Sequence, residues 1–227
     1  MIVPKFVHLR VHTAYSLSES TLSISKLAEL AQNDGQPAMA ITDSQNLFGG
    51  YEFSKTMAHS GIQPIVGASV FLQDKNGYGG VALLAQNETG YKNLSKLMSD
   101  AWMQCDGSEK PKIIVSDFLA ASEGMILLTG SPKDGFISKE VLQSPEIALA
   151  RLKMLSENLQ SRVYVELQRH GLQQEYDIED RLLQFSDQLK LPLIATNDCH
   201  FENEEMFVPQ KILTCIATNQ RLASMTN

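Results

Sequence analysis

Seven short β-rich runs recur along the chain, at 6–11, 37–42, 63–72, 80–86, 125–129, 162–167 and 191–196. Helical patterns separate most of them, at 22–33, 51–59, 90–102, 135–142, 146–159, 173–190 and 204–217. Strands alternating with helices predict a parallel α/β sheet covered by helices. No glycine-rich dinucleotide loop follows the first run, which favours a closed barrel over an open sheet. A chain of 227 residues suits one such barrel as well as two small domains. In the first helix Leu27, Leu30 and Ala31 share a face and Gly35 marks the stop. In 90–102, Tyr91, Leu94, Met98 and Ala101 form one stripe, and Tyr91 and Trp102 read as core. In 173–190, Tyr176, Leu182, Leu183 and Leu189 read as inward.

Composition narrows the function. The formal net charge is -7, from 19 Lys+Arg against 26 Asp+Glu, and no run of basic residues forms a stripe. Binding to nucleic acid depends on phosphate neutralisation, so weak or no DNA binding is expected of the chain by itself. No apolar run is long enough to span a membrane, and the N-terminus lacks a secretory pattern. Cys105, Cys199 and Cys215 are odd in number and have no CxxC spacing, which fits a reducing cytosol better than a disulfide framework.

In a parallel α/β barrel, functional side chains gather at the C-terminal ends of strands. His8, Arg10 and His12, then Asp43 and Ser44, then Ser69, then Thr129 and Ser131, then Asp198 and His200 all fall at such ends in this reading. Histidines and an aspartate can ligate Zn, Mn or Fe. Strand-end polar residues can equally satisfy the backbone and one another, and spacing leaves both readings open. His59 is expected to be solvated, His170 to sit in a loop or cap, His8 to hydrogen-bond behind the site, and Cys199 to be a small core hydrophobe.

The segments HLRVHTAYSL, ITDSQNLFGGYEF, GIQPIVGASV, ALLAQNETGYKNL, ILLTGS and ATNDCHF, in this order, resemble the N-terminal PHP (polymerase and histidinol phosphatase) domain of bacterial replicative DNA polymerase III alpha subunits. The resemblance runs from Phe6 to about Thr218. It implies a distorted seven-stranded (β/α)7 TIM-like barrel over 1–218, with 219–227 starting a linker to a polymerase core. It also implies a trinuclear metal site whose ligand positions fall on Arg10, His12, Glu19, Ser44, Ser69, Gly80, Ser131, Asp198 and His200. The family carries His, His, Asp, His, Glu, His, Cys, Asp and His there. Only His12, Asp198 and His200 match, and Glu19 is an acidic near-match. Arg10, Ser44, Ser69, Gly80 and Ser131 are substituted.

Arg10 is the informative departure. Guanidinium stays charged and offers no lone pair. It is therefore expected to pair with Glu19, Asp43 or Asp198, placing a fixed positive charge where a cation would sit. A buried carboxylate without such a partner is costly.

The resemblance implies a parent that is a DNA-directed DNA polymerase, a nucleotidyltransferase of DNA replication with Mg in its core. Within it this domain would be a catalytically silent scaffold with no cofactor of its own. Its expected partners are the rest of the alpha chain, an epsilon-type proofreading 3′–5′ exonuclease and the replisome, in the bacterial cytoplasm at the nucleoid. The alternative is a residual metal-dependent phosphoesterase or 3′–5′ exonuclease that holds a single Zn or Mn through His12, Glu19, Asp198 and His200.

Overall fold

The computed structural model describes residues 6–107 and 109–222, so the end of the expected linker, 223–227, lies outside the described residues. The chain divides into two compact units, 1–66 with 198–227, and 67–197.

The first unit holds α1 (Ile24–Asn33), β1 (Ala38–Ser44), α2 (Gly50–His59) and α7 (Phe207–Thr218). Its core joins Leu22, Ile24, Leu27, Ala28 and Ala31 of the first helical region to Met39 and Ile41 of β1 and Phe53 and Met57 of α2. Ser23 starts α1 by accepting a hydrogen bond from the Lys26 amide, which satisfies one of the first-turn donors. Extended chain at 8–12 lies between β1 and Cys199. The Ala40 amide donates to the His8 carbonyl, Thr42 to Val11, and His12 to Cys199. On α7, Val208, Ile212 and Ile216 are spaced four apart and are all exposed.

The 6–11 run is therefore not the regular strand its alternation predicts. Two steps along β1, from Ala40 to Thr42, match three along the neighbouring chain, from His8 to Val11. This is the count of a bulge, which breaks side-chain alternation. Arg10, Val11 and His12 are consequently all buried, where strict alternation would put Val11 opposite the other two.

The strand β2 (Gln63–Asp74) begins in the first unit. The second unit contains the rest of β2, followed by β3 (Gly77–Ala85), α3 (Glu88–Gln104), β4 (Lys112–Ile114), α4 (Val115–Ala120) and β5 (Met125–Leu128). After these come α5 (Pro145–Leu159), β6 (Val163–Leu167), α6 (Gln173–Leu189) and β7 (Leu193–Ala195). The sheet is mixed. β2 pairs antiparallel with β3, and β3 with β5. β4 runs parallel to β2, β6 to β5, and β7 to β6. The expectation of a purely parallel sheet fails at the β2–β3 hairpin, where Asn76-Gly77 turns the chain directly back. Gly77 has φ +125, a conformation that suits glycine. β4 and α4 fall between 102 and 125, where the sequence pattern assigns no element. The expected helix at 135–142 is a single 3-10 turn, Ser138–Glu140.

Two helix faces also differ from expectation. Tyr91 and Trp102 of α3 are exposed, and the buried stripe is Leu94, Leu97, Met98 and Ala101. In α6 Tyr176 and Leu183 are exposed, while Ile178, Leu182 and Phe185 face inward. Amphipathic rings and long side chains at a stripe's margin satisfy the helical period without being needed to fill the core.

Buried Arg151 on α5 holds β2. Its Nε and Nη2 donate to Asp74 at 2.9 and 2.7 Å, and its Nη1 donates to the Phe136 carbonyl at 2.8 Å. Burial acts to raise the Asp74 pKa, but the hydrogen bonds and charge of Arg151 win and hold it below the usual carboxylate value. A depressed carboxylate pKa adds stability that is present above about pH 4 and lost as pH falls further. Asp74→Asn is expected to cost about 2 kcal/mol at pH 7, since hydrogen bonds to charged groups contribute at this level. The deficit should shrink below about pH 4, where the wild type also loses its carboxylate charge. Urea unfolding at pH 7 and pH 3 reads both effects, and a deficit that stays constant across that range would refute the assignment.

Candidate functional site

Three groups from the first unit meet at Asp198, which follows β7 in the chain. Arg10 Nε donates to Asp198 Oδ1 at 2.9 Å. His12 Nε2 lies 3.1 Å from the same oxygen, and His200 Nε2 lies 3.5 Å from Oδ2. The two imidazoles stack, with centroids 4.4 Å apart and planes 6° from parallel. Arg10 is 5% exposed and His12 is 3% exposed. Burial would raise the Asp198 pKa. The hydrogen bonds from His12 and His200 and the charge of Arg10 overcome it and hold the carboxyl far below the ordinary range.

The hydrogen bonds behind the rings set their orientation. His200 Nδ1 faces the Glu19 carbonyl at 3.0 Å, which can only accept, so Nδ1 carries a proton. His12 Nδ1 faces the Ser16 and Ser44 hydroxyls at 3.1 and 3.3 Å. Ser16 gives its proton to Asp43 and Ser44 gives its proton to Glu19. Both hydroxyls are thus left to accept, and His12 Nδ1 donates. Each ring therefore turns Nε2 toward Asp198. A neutral ring in that tautomer would present a lone pair to a carboxylate, so the arrangement calls for a proton or another cation at Nε2.

Asp43 is held by the turn that follows His12. It is 1% exposed. Its oxygens accept from the Thr13 amide at 2.6 Å, the Thr13 hydroxyl at 2.8 Å and Ser16 at 2.6 Å. Its negative charge is met by three short hydrogen bonds from the turn that follows His12, and it fixes that turn. Gln210 of α7 donates to the Glu19 carbonyl at 2.6 Å, so both ends of the first unit converge on the Glu19 backbone. His8 Nδ1 lies 3.5 Å from the Cys199 thiol. Cys199 packs against the first unit's core, and burial followed by the Asp198 charge pushes its pKa up to about 11.

The remaining predicted positions belong to the second unit. Ser69 lies in the middle of β2 opposite Ala82 of β3 rather than at a strand end, and its buried hydroxyl has no hydrogen-bond partner. Gly80 lies within β3 opposite Phe71. Ser131, just past β5, donates to Asp134. His170 is exposed and caps α6 through buried Glu175, which accepts from the His170 and Leu172 amides.

Sequence reasoning missed Glu166. It is 2% exposed on β6 and accepts from the Gly130 amide at 2.9 Å, from Gln168 at 3.1 Å and from the Thr196 hydroxyl. A carboxylate inside an otherwise apolar strand was the available signal, since a charge there must be hydrogen-bonded.

The PHP domain model matches residues 8–170, and the chain belongs to the PHP domain family. Over 216 residues it is 37% identical to the DNA polymerase III subunit alpha of Rickettsia felis, covering 94% of this chain and 18% of that protein. Over 228 residues it is 36% identical to the Caulobacter vibrioides subunit, covering 93% and 19%. The chain thus spans about a fifth of the length of these relatives. Among solved structures, a putative metal-dependent phosphoesterase from Bifidobacterium adolescentis matches with TM-score 0.59 at 15% identity, covering 86% of this chain and 87% of that one. A two-domain protein from Bacteroides vulgatus with a PHP-like metal-dependent phosphoesterase matches with TM-score 0.56 at 14% identity, covering 86% and 52%. These likenesses establish the fold class, a distorted (β/α) barrel of the PHP kind.

The residues present do not fit a trinuclear metal cluster. Arg10, Ser44, Ser69, Gly80 and Ser131 supply no imidazole, carboxylate or thiolate. Among the described residues one trio persists, His12, Asp198 and His200, whose ligand atoms lie within 4.8 Å of one another. That spacing permits a single ion, but Arg10 already donates to the shared carboxylate.

Proposed function

We propose that this chain is the PHP domain of a DNA polymerase III alpha subunit, with residues 1–218 forming the domain and 219–227 starting a linker to the polymerase core. In this reading its own phosphoesterase chemistry is lost and the domain serves as a scaffold. The parent would be a replicative DNA-directed DNA polymerase of the bacterial cytoplasm. Nucleotidyl transfer and the Mg it needs would belong to the polymerase core. The scaffold would carry an epsilon-type proofreading 3′–5′ exonuclease within the replisome. The observation behind the loss of chemistry is the bond from Arg10 Nε to Asp198 Oδ1 at 2.9 Å. A guanidinium that cannot deprotonate supplies the positive charge the carboxylate needs, without a metal. Among the described residues no helix is long and apolar enough to cross a membrane.

The test has two arms. Metal analysis after purification, followed by a nuclease assay with added Mn or Zn, should give sub-stoichiometric metal and no hydrolysis. Mixing the chain with the cognate exonuclease at micromolar concentration should give a stable complex on gel filtration. Failure to co-elute would reject the docking role.

A second reading rests on a separate observation. Both imidazoles hold a proton on Nδ1 and aim Nε2 at one point, which is how histidine presents itself to a metal ion. A single Zn or Mn bound there with phosphodiesterase activity would favour a residual exonuclease.

A further inference from the structure

A second cluster of charged and aromatic side chains lies in the second unit, on β2, β3 and the segments beside them. Phe71 of β2 and Tyr78 of β3 meet edge to face, with centroids 5.7 Å apart and planes at 86°. Three ammonium groups surround the pair. Lys110 Nζ is 5.6 Å from the Phe71 centroid, Lys112 Nζ is 4.6 Å from that of Tyr78, and Lys139 Nζ is 5.1 Å from that of Tyr78. These five residues, with Glu109 and Asp134, line a cavity of about 450 Å³, within the size range of small-molecule sites. Tyr78 is 42% exposed.

The two acids offset part of the lysines' charge. Glu109 pairs with Lys112, and Asp134 accepts the Ser131 hydroxyl proton, so each is already held in place at the cavity edge. An aromatic platform flanked by cations is how proteins hold a stacked base and its phosphates. Fixed carboxylates at the edge can accept hydrogen bonds from sugar hydroxyls or base amino groups.

We propose that this cavity binds a nucleotide without metal: the base takes the place of the ammonium groups over the Tyr78 ring, with Phe71 edge-on to that ring, and Lys110, Lys112 and Lys139 meet the phosphates. The chain's overall charge of -7 limits the site to a few phosphates and does not extend it to a long strand.

The probes are dTTP, inorganic tripolyphosphate and a short oligothymidylate, each titrated into the purified chain in low salt with EDTA present. The chelator keeps the His12–Asp198–His200 site out of the measurement. Saturable dTTP binding is expected, at least about tenfold tighter than tripolyphosphate, because stacking a base contributes on that scale. Tyr78→Ala should remove the advantage of dTTP over tripolyphosphate, and Lys139→Gln, at an exposed position, should weaken both ligands. Equal affinity for dTTP and tripolyphosphate, or no saturation below millimolar ligand, overturns the proposal without any variant. A folded Lys139→Gln chain that binds as tightly as wild type overturns it too. Tighter binding of the oligothymidylate than of dTTP identifies a strand end as the source of the ligand. The reverse identifies the free nucleotide, and either order supports the site.

Discussion

Replacing Arg10 with alanine is expected to lower the unfolding free energy by about 3 kcal/mol at pH 7, because it removes one partner of a buried ion pair. The same change should make stability respond to zinc. The substitution leaves Asp198 facing two imidazoles that already aim Nε2 at it, with no guanidinium in the way. Zinc at a hundred times its dissociation constant would then restore about 2.7 kcal/mol. Urea unfolding with and without zinc measures both effects. A wild-type chain stabilised as much as the variant would show that Arg10 does not exclude the ion.

The pH dependence follows from the depressed pKa of Asp198. A carboxyl held below its unfolded value contributes stability that is complete above about pH 4 and is lost as pH falls. The wild type therefore loses its advantage over Arg10→Ala in acid, and the two curves should approach each other below about pH 4.

Gly90→Ala is expected to be at least as damaging, at about 4 kcal/mol, in the range reserved for specific structural conflicts. Gly90 lies in the first turn of α3, and a Cβ there would stand 1.8 Å from the Gly124 carbonyl oxygen and 2.4 Å from its carbon. Neither side yields easily. The Gly124 oxygen accepts from the Gln86 amide, and Gly124 has φ +71. The Gly90 amide donates to the Asn87 side chain that caps the helix. Alanine is otherwise the better helix former by up to about 1 kcal/mol. A thermal melt showing Gly90→Ala at or above wild type would therefore mean that the close approach at Gly124 is absent.

Much of this architecture was legible in the sequence, and the failures have identifiable causes. Six of the seven expected runs became strands because each is a short apolar segment bounded by turn residues. The first did not, because its bulge depends on pairing with β1, which no local pattern records. Asn76-Gly77 was a readable hairpin signal, and giving it due weight would have made the sheet mixed from the start. β4 and α4 are only three and six residues long, too short for a period to show.

At the site, a buried guanidinium needs a carboxylate, and Arg10 bonds to Asp198. Which carboxylate it would be was not legible. Asp43 is filled by Thr13 and Ser16, whose hydroxyls lie three residues apart in the turn after His12. Glu166 escaped because its partners Gly130 and Thr196 are distant in sequence.

The thiol between Asp198 and His200 offers a use unrelated to any biochemical role. Cys199 is half-buried against the core and its thiol is protonated at ordinary pH, so an alkylating reagent meets little thiolate there until that packing loosens. In a chain with Cys105 and Cys215 replaced, the rate of iodoacetamide incorporation would act as a clock for breathing motions at the Asp198 end of the first unit. Such a clock could compare wild type with Arg10→Ala under conditions where neither unfolds.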